Sequence, residues 1–304
     1  MADNKIRCFK CNGDAIIFQR YSGMHLCKNH FIEDVERKIK KSIRKNFPVG
    51  KNEGIAVALS GGKDSAVTLH ILSKIFQERR DIKIIAITVD EGIEGYRDNT
   101  VKKAIRFTRE LDIEHHIVSF KDAYGITLDE IVAIDSDQAP CTFCGVLRRQ
   151  MLNCAARDTG VNRVATGHNL DDESQSVFMN YLRGDTERLM RTSIDKACFI
   201  PRMKPLQDIP EREVALYAIV SGIDMDMSEC PYASQALRNE IREMLNDYEV
   251  KHPGTKYSII RGFDKLSKGI KTVDADLSGC TICKEPCSGD ICKACNLLKQ
   301  LGRI

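Results

Sequence analysis

No run in the 304 residues approaches the ~18 consecutive apolar side chains that a membrane-spanning helix needs, so no membrane association is expected. The opening Met1-Ala2-Asp3-Asn4-Lys5 leads into no apolar core of the secretory kind, and no secretory signal is expected either. Internal repeats are lacking, although both ends carry paired cysteines. Acidic residues are missing altogether from Arg37 to Lys51, a stretch that holds seven cations: Arg37, Lys38, Lys40, Lys41, Arg44, Lys45 and Lys51. What remains, 42% hydrophobic and 29% charged residues, describes a globular chain long enough for one medium α/β domain with small appendages. Thirteen cysteines in a chain expected in the reducing cytoplasm suggest metal ligands before disulfides.

Val35, Ile39, Ile43 and Phe47 recur at every fourth position through the acid-free stretch, which predicts an amphipathic helix with a basic outer face. That face is either simply solvated or a contact surface for a phosphate backbone. Pro48-Val49-Gly50 then breaks the helix.

From Gly54 onward, short apolar strands alternate with helical patterns. Strands are expected at 55–59, 82–89, 114–119 and 163–165, and helices at 66–76, 97–111, 145–157, 171–182, 210–221 and 234–250. The alternation predicts an α/β fold, a parallel sheet with helices on both faces. The expected organisation is an N-terminal zinc finger over 1–32, a basic linker helix over 33–50, a catalytic domain over 51–275 and a C-terminal zinc ribbon over 276–304.

Ser60-Gly61-Gly62-Lys63-Asp64-Ser65 follows the first of these strands and opens a helix. Its glycines let the backbone approach an oxyanion, and the helix end offers unpaired N–H groups and a positive dipole. Ser60 and Ser65 add hydroxyls and Lys63 a cation. The spacing is not that of a Walker A loop, so hydrolysis of a γ-phosphate is not implied. A second ligand segment, Gly167-His168-Asn169-Leu170-Asp171-Asp172, follows the strand at 163–165, at the sheet end where open α/β folds bind ligands. Asp171 and Asp172 either cap a helix or serve a Mg²⁺ ion or a substrate proton. Gly167 permits close approach of a nucleotide, and His168 is either structural or part of the site.

Cys8-x2-Cys11 with Cys27-x2-His30 has the spacing of a closed four-ligand zinc site, as does Cys280-x2-Cys283 with Cys292-x2-Cys295. His25 and Cys287 are rival ligands. Two zinc ions in structural roles are expected, because segments this short cannot bury a core alone. Cys154 and Cys198 are expected to be small buried apolar residues. Cys141, Cys144 and Cys230 are left over, and the first two fall between the glycine loop and the Gly167 segment, which suggests chemistry.

The loop Ser60 to Ser65 resembles the PP-loop ATP pyrophosphatase superfamily. Taken with Cys141-x-x-Cys144-Gly145-Val146-Leu147-Arg148-Arg149 and Gly167 to Asp172, the chain resembles the tRNA 2-thiouridine synthetases of the TtcA/TtuA group. The end clusters point to that group's archaeal and cytosolic wobble-thiolation branch. The resemblance runs from Cys8 to Cys295 and implies an adenine nucleotide α-hydrolase-like sheet. It implies ATP with Mg²⁺, cleaved between the α- and β-phosphates, with Ala58, Ser60, Gly61, Gly62, Lys63, Asp64, Ser65, Thr88, Arg148, Gly167 and Asp172 around the nucleotide. It further implies a [4Fe-4S] cluster on Cys141, Cys144 and Cys230, with one iron open to hold sulfide. Catalytic roles then fall to these three cysteines, Asp171, Asp172 and Arg148. A persulfide or disulfide between Cys141 and Cys230 is the second possibility for the thiols, and a structural zinc site the third. Implied partners are tRNA, a second copy of the chain, and a ubiquitin-like thiocarboxylate carrier or free sulfide as sulfur source. The run from Gly145 to Arg149 is more like the wobble-uridine enzymes than those acting on the TΨC loop. A PP-loop amide ligase would have no use for Cys141 and Cys144, and a non-catalytic zinc protein would leave the glycine loop without a role.

Overall fold

The computed structural model describes residues 6–134, 138–185, 200–224, 226, 228–232, 238–269 and 278–304. The chain opens with a hairpin, β1 (Ile17–Gln19) and β2 (Met24–Leu26), and runs directly into α1 (Lys28–Asn46). α1 starts before the position expected of a linker helix. Its apolar stripe, Phe31, Val35, Ile39 and Ile43, is buried in a core shared with the strands and helices that follow, each side chain contributing roughly 1.5–3 kcal/mol by leaving water. Its last turn carries Arg44 and Lys45, which complement the negative end of the helix dipole.

Next come β3 (Gly54–Ala58), α2 (Lys63–Phe76), β4 (Lys83–Asp90), α3 (Arg97–Glu110), β5 (Glu114–Ser119), α4 (Phe120–Tyr124), α5 (Leu128–Ala133), α6 (Pro140–Asp158), β6 (Arg163–Ala165), α7 (Leu170–Leu182) and β7 (Arg202–Met203). The five strands form one parallel sheet in the order β5-β4-β3-β6-β7. The expected α/β architecture is therefore what the chain adopts. The connections run outward from β3 in one direction and then, after β5, return to its other side. The gap between β3 and β6 is thus the topological switch point, where such sheets bind ligands.

Alternate residues of β3 and β4 divide between two cores. Ile55, Val57 and Ala86 pack with α1, α2 and α8 (Glu211–Val220), while Ala56, Ile85 and Ile87 pack with α6. α9 (Arg238–Lys251) and α10 (Thr255–Gly269) cover α7. The chain ends in β8 (Ser278–Gly279), β9 (Pro286–Cys287) and α11 (Lys293–Gln300). The N-terminal hairpin belongs to the first core, and the C-terminal cysteines to the second. The two end modules therefore grip opposite faces of one sheet. Among the described residues no helix is long and apolar enough to cross a membrane.

α6, α10 and β7 are among the elements that differ from expectation. α6 begins at Pro140 instead of Gly145, because proline is well suited to the first helical position, where its missing N–H is not needed. Cys141 and Cys144 consequently lie on its first turn. α10, although amphipathic, was not among the expected helices, and β7, two residues long, is too short to show a period. The expected helix start at Ser234 and the residue Cys198 lie outside the described residues.

His115 stitches the sheet to α3 through the Thr88 hydroxyl (2.7 Å) and the Thr108 hydroxyl (3.1 Å). Burial, helped by the neighbouring His116, lowers its pKa from 6.5 to about 4. Between those values the unfolded chain takes up a proton that the folded chain refuses, so stability falls as pH drops from 6.5 towards 4. Urea melts across that range are expected to show this loss, and His115→Gln is expected to flatten that part of the profile.

Candidate active site

A cavity of about 540 Å³ opens at the carboxyl ends of the strands. Ala58, Leu59 and Ser60 line it from β3 and its loop, Ile87, Val89 and Glu91 from β4, Thr166, Gly167 and His168 from β6, and Arg202 and Lys204 from β7. Of the nucleotide residues implied by the resemblance, Ala58, Ser60, Asp64, Ser65, Arg148, Gly167 and Asp172 are among the lining.

The loop's shape has identifiable causes. Gly61 sits at φ +90°, and a Cβ there would stand 2.5 Å from the Thr100 carbonyl oxygen, so only glycine fits. Gly167 packs so tightly on the loop that a methyl would approach the Asp64 carbonyl carbon and the Ser65 nitrogen to 2.8 Å. Gly62 heads α2, and a Cβ there would meet only the Ser60 Oγ, at 3.7 Å. The Ser65 hydroxyl accepts from the Ser60 N–H at 3.1 Å and closes the loop. Lys63 points away from the cavity, ion-paired to Asp64 (3.1 Å) and Glu211 (2.9 Å). The Thr88 side chain is also outside it: its hydroxyl donates to the Leu59 carbonyl at 2.6 Å, holding the end of β3.

The two adjacent aspartates separate. Asp171 is buried, pairs with Lys256 and accepts the Glu211 N–H at 2.8 Å. Asp172 faces the cavity, accepting from Arg238 at 3.3 Å and from the Asn169 N–H at 3.1 Å as half of a capping box. The Asp64 carboxyl is pushed up in pKa by burial and by the nearby Asp172 charge. Asp64 and Asp172, side by side in a polar cavity, form a donor set suited to Mg²⁺. Four cations line the same cavity: Arg149, Arg202, Lys204, which pairs with Glu173 at 2.8 Å, and Arg238. Among the described residues the buried Nη1 of Arg202 has no hydrogen-bond partner, and burial followed by the Arg149 charge lowers the guanidinium to about 10. An orphaned cationic donor beside empty volume fits an anionic phosphate. His168 lines the wall with Nδ1 at 2.8 Å from the Thr166 hydroxyl, and burial lowers its pKa.

A residue not foreseen from sequence ties these parts together. Arg97 is buried, donates to the Ser60 carbonyl at 2.7 Å and to the Val89 carbonyl, and ion-pairs with Glu91 at 2.7 Å. Glu91 in turn takes Arg148 at 3.3 Å. Cys144 lies one helical turn before Arg148. The Cys141 thiol contacts the Tyr232 carbonyl at 3.8 Å, which brings the Cys230 segment against the start of α6. Burial, offset in part by Arg148 and reinforced by Glu91, Cys230 and Cys141, pushes the Cys144 thiol up to about 11. Burial also raises Cys230, beside the charge of Cys141. Cys141, Cys144 and Cys230 thus gather at one end of α6 without closing into a set as tight as those at the chain ends, and three thiols are a soft donor set that fits an iron–sulfur group.

The end clusters are tighter. Cys8, Cys11, Cys27 and His30, and likewise Cys280, Cys283, Cys292 and Cys295, place their donor atoms within 4.8 Å of one another, and among the described residues only these two sets do so. Cys11 and Cys27 sulfurs are 3.7 Å apart and Cys283 and Cys292 3.6 Å, close to the ~3.8 Å between sulfurs on one tetrahedral zinc. Burial opposes the charged form of Cys8 and Cys280, but backbone N–H donors bring both thiols down to about 6. His25 instead stacks on Phe18, and Cys287 contacts the Gly289 carbonyl, so neither rival enters a set. Cys154 departs from the expected buried apolar role. It is half-buried, with its sulfur 3.4 Å from Glu285, which with burial raises it to about 12. Glu285 is there to clamp Arg157 of α6 at 2.6 and 2.9 Å.

Two family models match the chain: a PP-loop domain over residues 32–249, and the N-terminal LIM domain of 2-thiouridine synthetase TtuA over residues 7–32. The chain is 38% identical to the tRNA 2-thiolation protein NcsA of Haloferax volcanii, covering 98% of this chain and 100% of that one. It is 36% identical to the tRNA-5-methyluridine(54) 2-sulfurtransferase of Pyrococcus horikoshii, over 95% and 93% of the two chains. A solved structure, the U34-tRNA thiolase NcsA from Methanococcus maripaludis with its [4Fe-4S] cluster, superposes with a TM-score of 0.88 at 38% identity, covering 99% of this chain and 98% of that one.

The two loop glycines yield a paired prediction. Gly61→Ala is expected to cost about 1–3 kcal/mol in urea melts, through strain and overpacking, and to abolish ATP binding. Gly62→Ala is expected to lose ATP binding in calorimetry while stability stays within about 1 kcal/mol, because its hydrogen is needed by the ligand and not by the fold.

Proposed function

The chain belongs to the PP-loop tRNA 2-thiolation family, and from that premise we propose that it is an ATP-dependent tRNA sulfurtransferase. It replaces the C2 oxygen of a tRNA uridine with sulfur. The observation that carries this reading is the short bonded path from the nucleotide loop to the thiols: Ser60 to Arg97, Glu91, Arg148, and then Cys144 one turn away. A PP-loop ligase acting on a small molecule would need the cavity but not the thiols.

The C2 oxygen of uracil is a poor leaving group. In the proposed reaction it attacks the α-phosphorus of ATP, pyrophosphate departs, and the base becomes an O-adenylated species. A reduced sulfur then forms a bond to C2, and AMP leaves with the oxygen. Asp172, with Asp64, would hold Mg²⁺ against the phosphates. Asp171 is assigned a structural role, since Lys256 already neutralises it. Arg202, Arg238 and Arg149 would stabilise the charge that develops on the phosphates. Arg148, positioned by Glu91, would bridge the nucleotide and the Cys144 side of the cavity. Cys141, Cys144 and Cys230 would hold a [4Fe-4S] cluster, whose chemistry is to supply soft, reduced sulfur at an iron left open by three protein ligands. The end clusters would each hold a structural zinc ion.

For the target we favour the wobble uridine, on the Gly145 to Arg149 run and the full-length likeness to the U34 thiolase. The TΨC-loop uridine is the alternative. A homodimer, and a ubiquitin-like carrier or free sulfide as donor, belong to the same proposal.

The test is ATP–pyrophosphate exchange stimulated by unmodified tRNA. Asp172→Asn is expected to lower exchange about 100-fold or more, whereas Asp171→Asn is expected to register first in the melting temperature. Protein purified without oxygen is expected to carry iron and acid-labile sulfide that Cys144→Ala loses. Thiolation-competent protein free of iron would instead support a persulfide on these cysteines.

A further inference from the structure

Cys141 and Cys144 share one helix, whereas Cys230 reaches them from a separate segment, so its position depends on whatever anchors that segment. The anchor is Tyr232. Its carbonyl meets the Cys141 thiol at 3.8 Å. Its N–H is turned towards the Cys230 sulfur, where it works against the burial that raises that thiol. An N–H two residues after a cysteine makes the same approach in the N-terminal set, from Lys10 to Cys8 and from Gly13 to Cys11, both at 3.4 Å. Cys230-Pro231-Tyr232 is thus turned as a metal-binding knuckle is turned. Pro231, with its fixed φ and no N–H of its own, suits the middle of that turn.

The tyrosine side chain fixes this turn to the rest of the site. Its hydroxyl donates to Asp129 Oδ1 at 2.7 Å, and Asp129 Oδ2 accepts the Glu94 N–H at 2.8 Å. Both carboxylate oxygens are therefore engaged, one on the Cys230 segment and one on the loop after β4. Asp129 stands on the first turn of α5, and the neighbouring Leu128 N–H donates to the Glu91 carbonyl at 2.7 Å. Two bonds thus tie the start of α5 to the loop that carries Glu91. Glu91 holds Arg97 and Arg148 with its side chain, so the third thiol and the nucleotide loop are both referenced to one short piece of backbone. Tyr232 and Asp129 stand outside the nucleotide cavity, and adenylation gives them no task.

We propose that Tyr232 and Asp129 are positioning residues for the third thiol: the bond between them holds Cys230 against Cys141 and Cys144, and without it the cluster keeps only the two ligands of α6. Residues behind the ligands govern how tightly a metal is held, by fixing where the ligands stand. The proposal rests on the cluster reading above and adds what keeps the third ligand in place.

The test uses full-length protein purified without oxygen and follows the passage of iron to the chelator bipyridine. Tyr232→Phe, which removes only the hydroxyl, is expected to release iron roughly tenfold faster than wild type, and Asp129→Ala at least as fast as Tyr232→Phe. The Asp129→Ala/Tyr232→Phe double variant is expected to be no faster than Asp129→Ala alone, since both changes break one bond. Zinc is expected to stay at the wild-type level in all three. Wild-type iron release in both single variants would overturn the latch and leave the cluster reading standing. Additive effects in the double variant would show two residues acting separately and would also overturn it. Zinc lost in step with iron would mark general unfolding, with the same consequence. Wild-type protein free of iron and acid-labile sulfide would overturn the cluster reading itself and the latch with it.

Discussion

The site depends on one buried guanidinium. Arg97 takes the carbonyl at the head of the nucleotide loop, the carbonyl at the end of β4 and the carboxylate of Glu91, and through Glu91 it reaches Arg148 on α6. Burying such a charge is costly unless its partners are in place, and removing one of them leaves the others unpaired in a medium of low dielectric. The gap between β3 and β6 is open because the chain reverses direction there. Arg97 converts that topological accident into a loop of defined shape with thiols at a defined distance.

Around this frame the charges are sorted. Asp64 and Asp172 come from the PP-loop and α7, Arg238 pairs with Asp172 and Lys204 with Glu173, and Arg149 and Arg202 bring further cations to the same cavity. Cys141 and Cys144 lie beyond Arg148 at the start of α6, and the Cys230 segment is brought against them by the Cys141–Tyr232 contact. That helix is anchored at its far end by the Arg157–Glu285 pair, in which Glu285 belongs to the C-terminal module. Gln150 adds a second tie, donating to the Cys283 sulfur at 3.3 Å. The C-terminal metal site therefore fixes the same helix that presents Cys141 and Cys144, while the N-terminal site steadies α1 on the opposite face of the sheet.

Much of this was legible in the sequence where the signal was local. The glycine loop, the Gly167 segment and the four paired knuckles are set by spacing along a few residues, and the alternation of strands and helices by hydrophobic period. The roles of Glu91 and Arg97 were not legible, since the partners that tie their pair to the loop and to α6, Ser60 and Arg148, are 37 and 57 residues away and meet them only in the folded sheet. Glu91 does follow a buried strand at its carboxyl end, which is a signal that could have found it. Asp171 and Asp172 could not be told apart from sequence, because adjacent helical residues point about 100° apart and only tertiary packing decides which one meets Lys256. The helix expected from Gly145 begins instead at Pro140, a residue suited to the first helical position. Thr88 was assigned to the nucleotide by resemblance, yet the strand alternation turns its side chain towards His115.

The central claim is that the nucleotide cavity and the three thiols act on one uridine. Mass spectrometry of nuclease digests from tRNA incubated anaerobically with the protein, ATP, Mg²⁺ and sulfide tests it most directly. The account predicts 2-thiouridine at position 34, dependent on ATP and lost with either Cys144→Ala or Glu91→Ala. Thiolation that persists in both variants, or that proceeds without ATP, would contradict it.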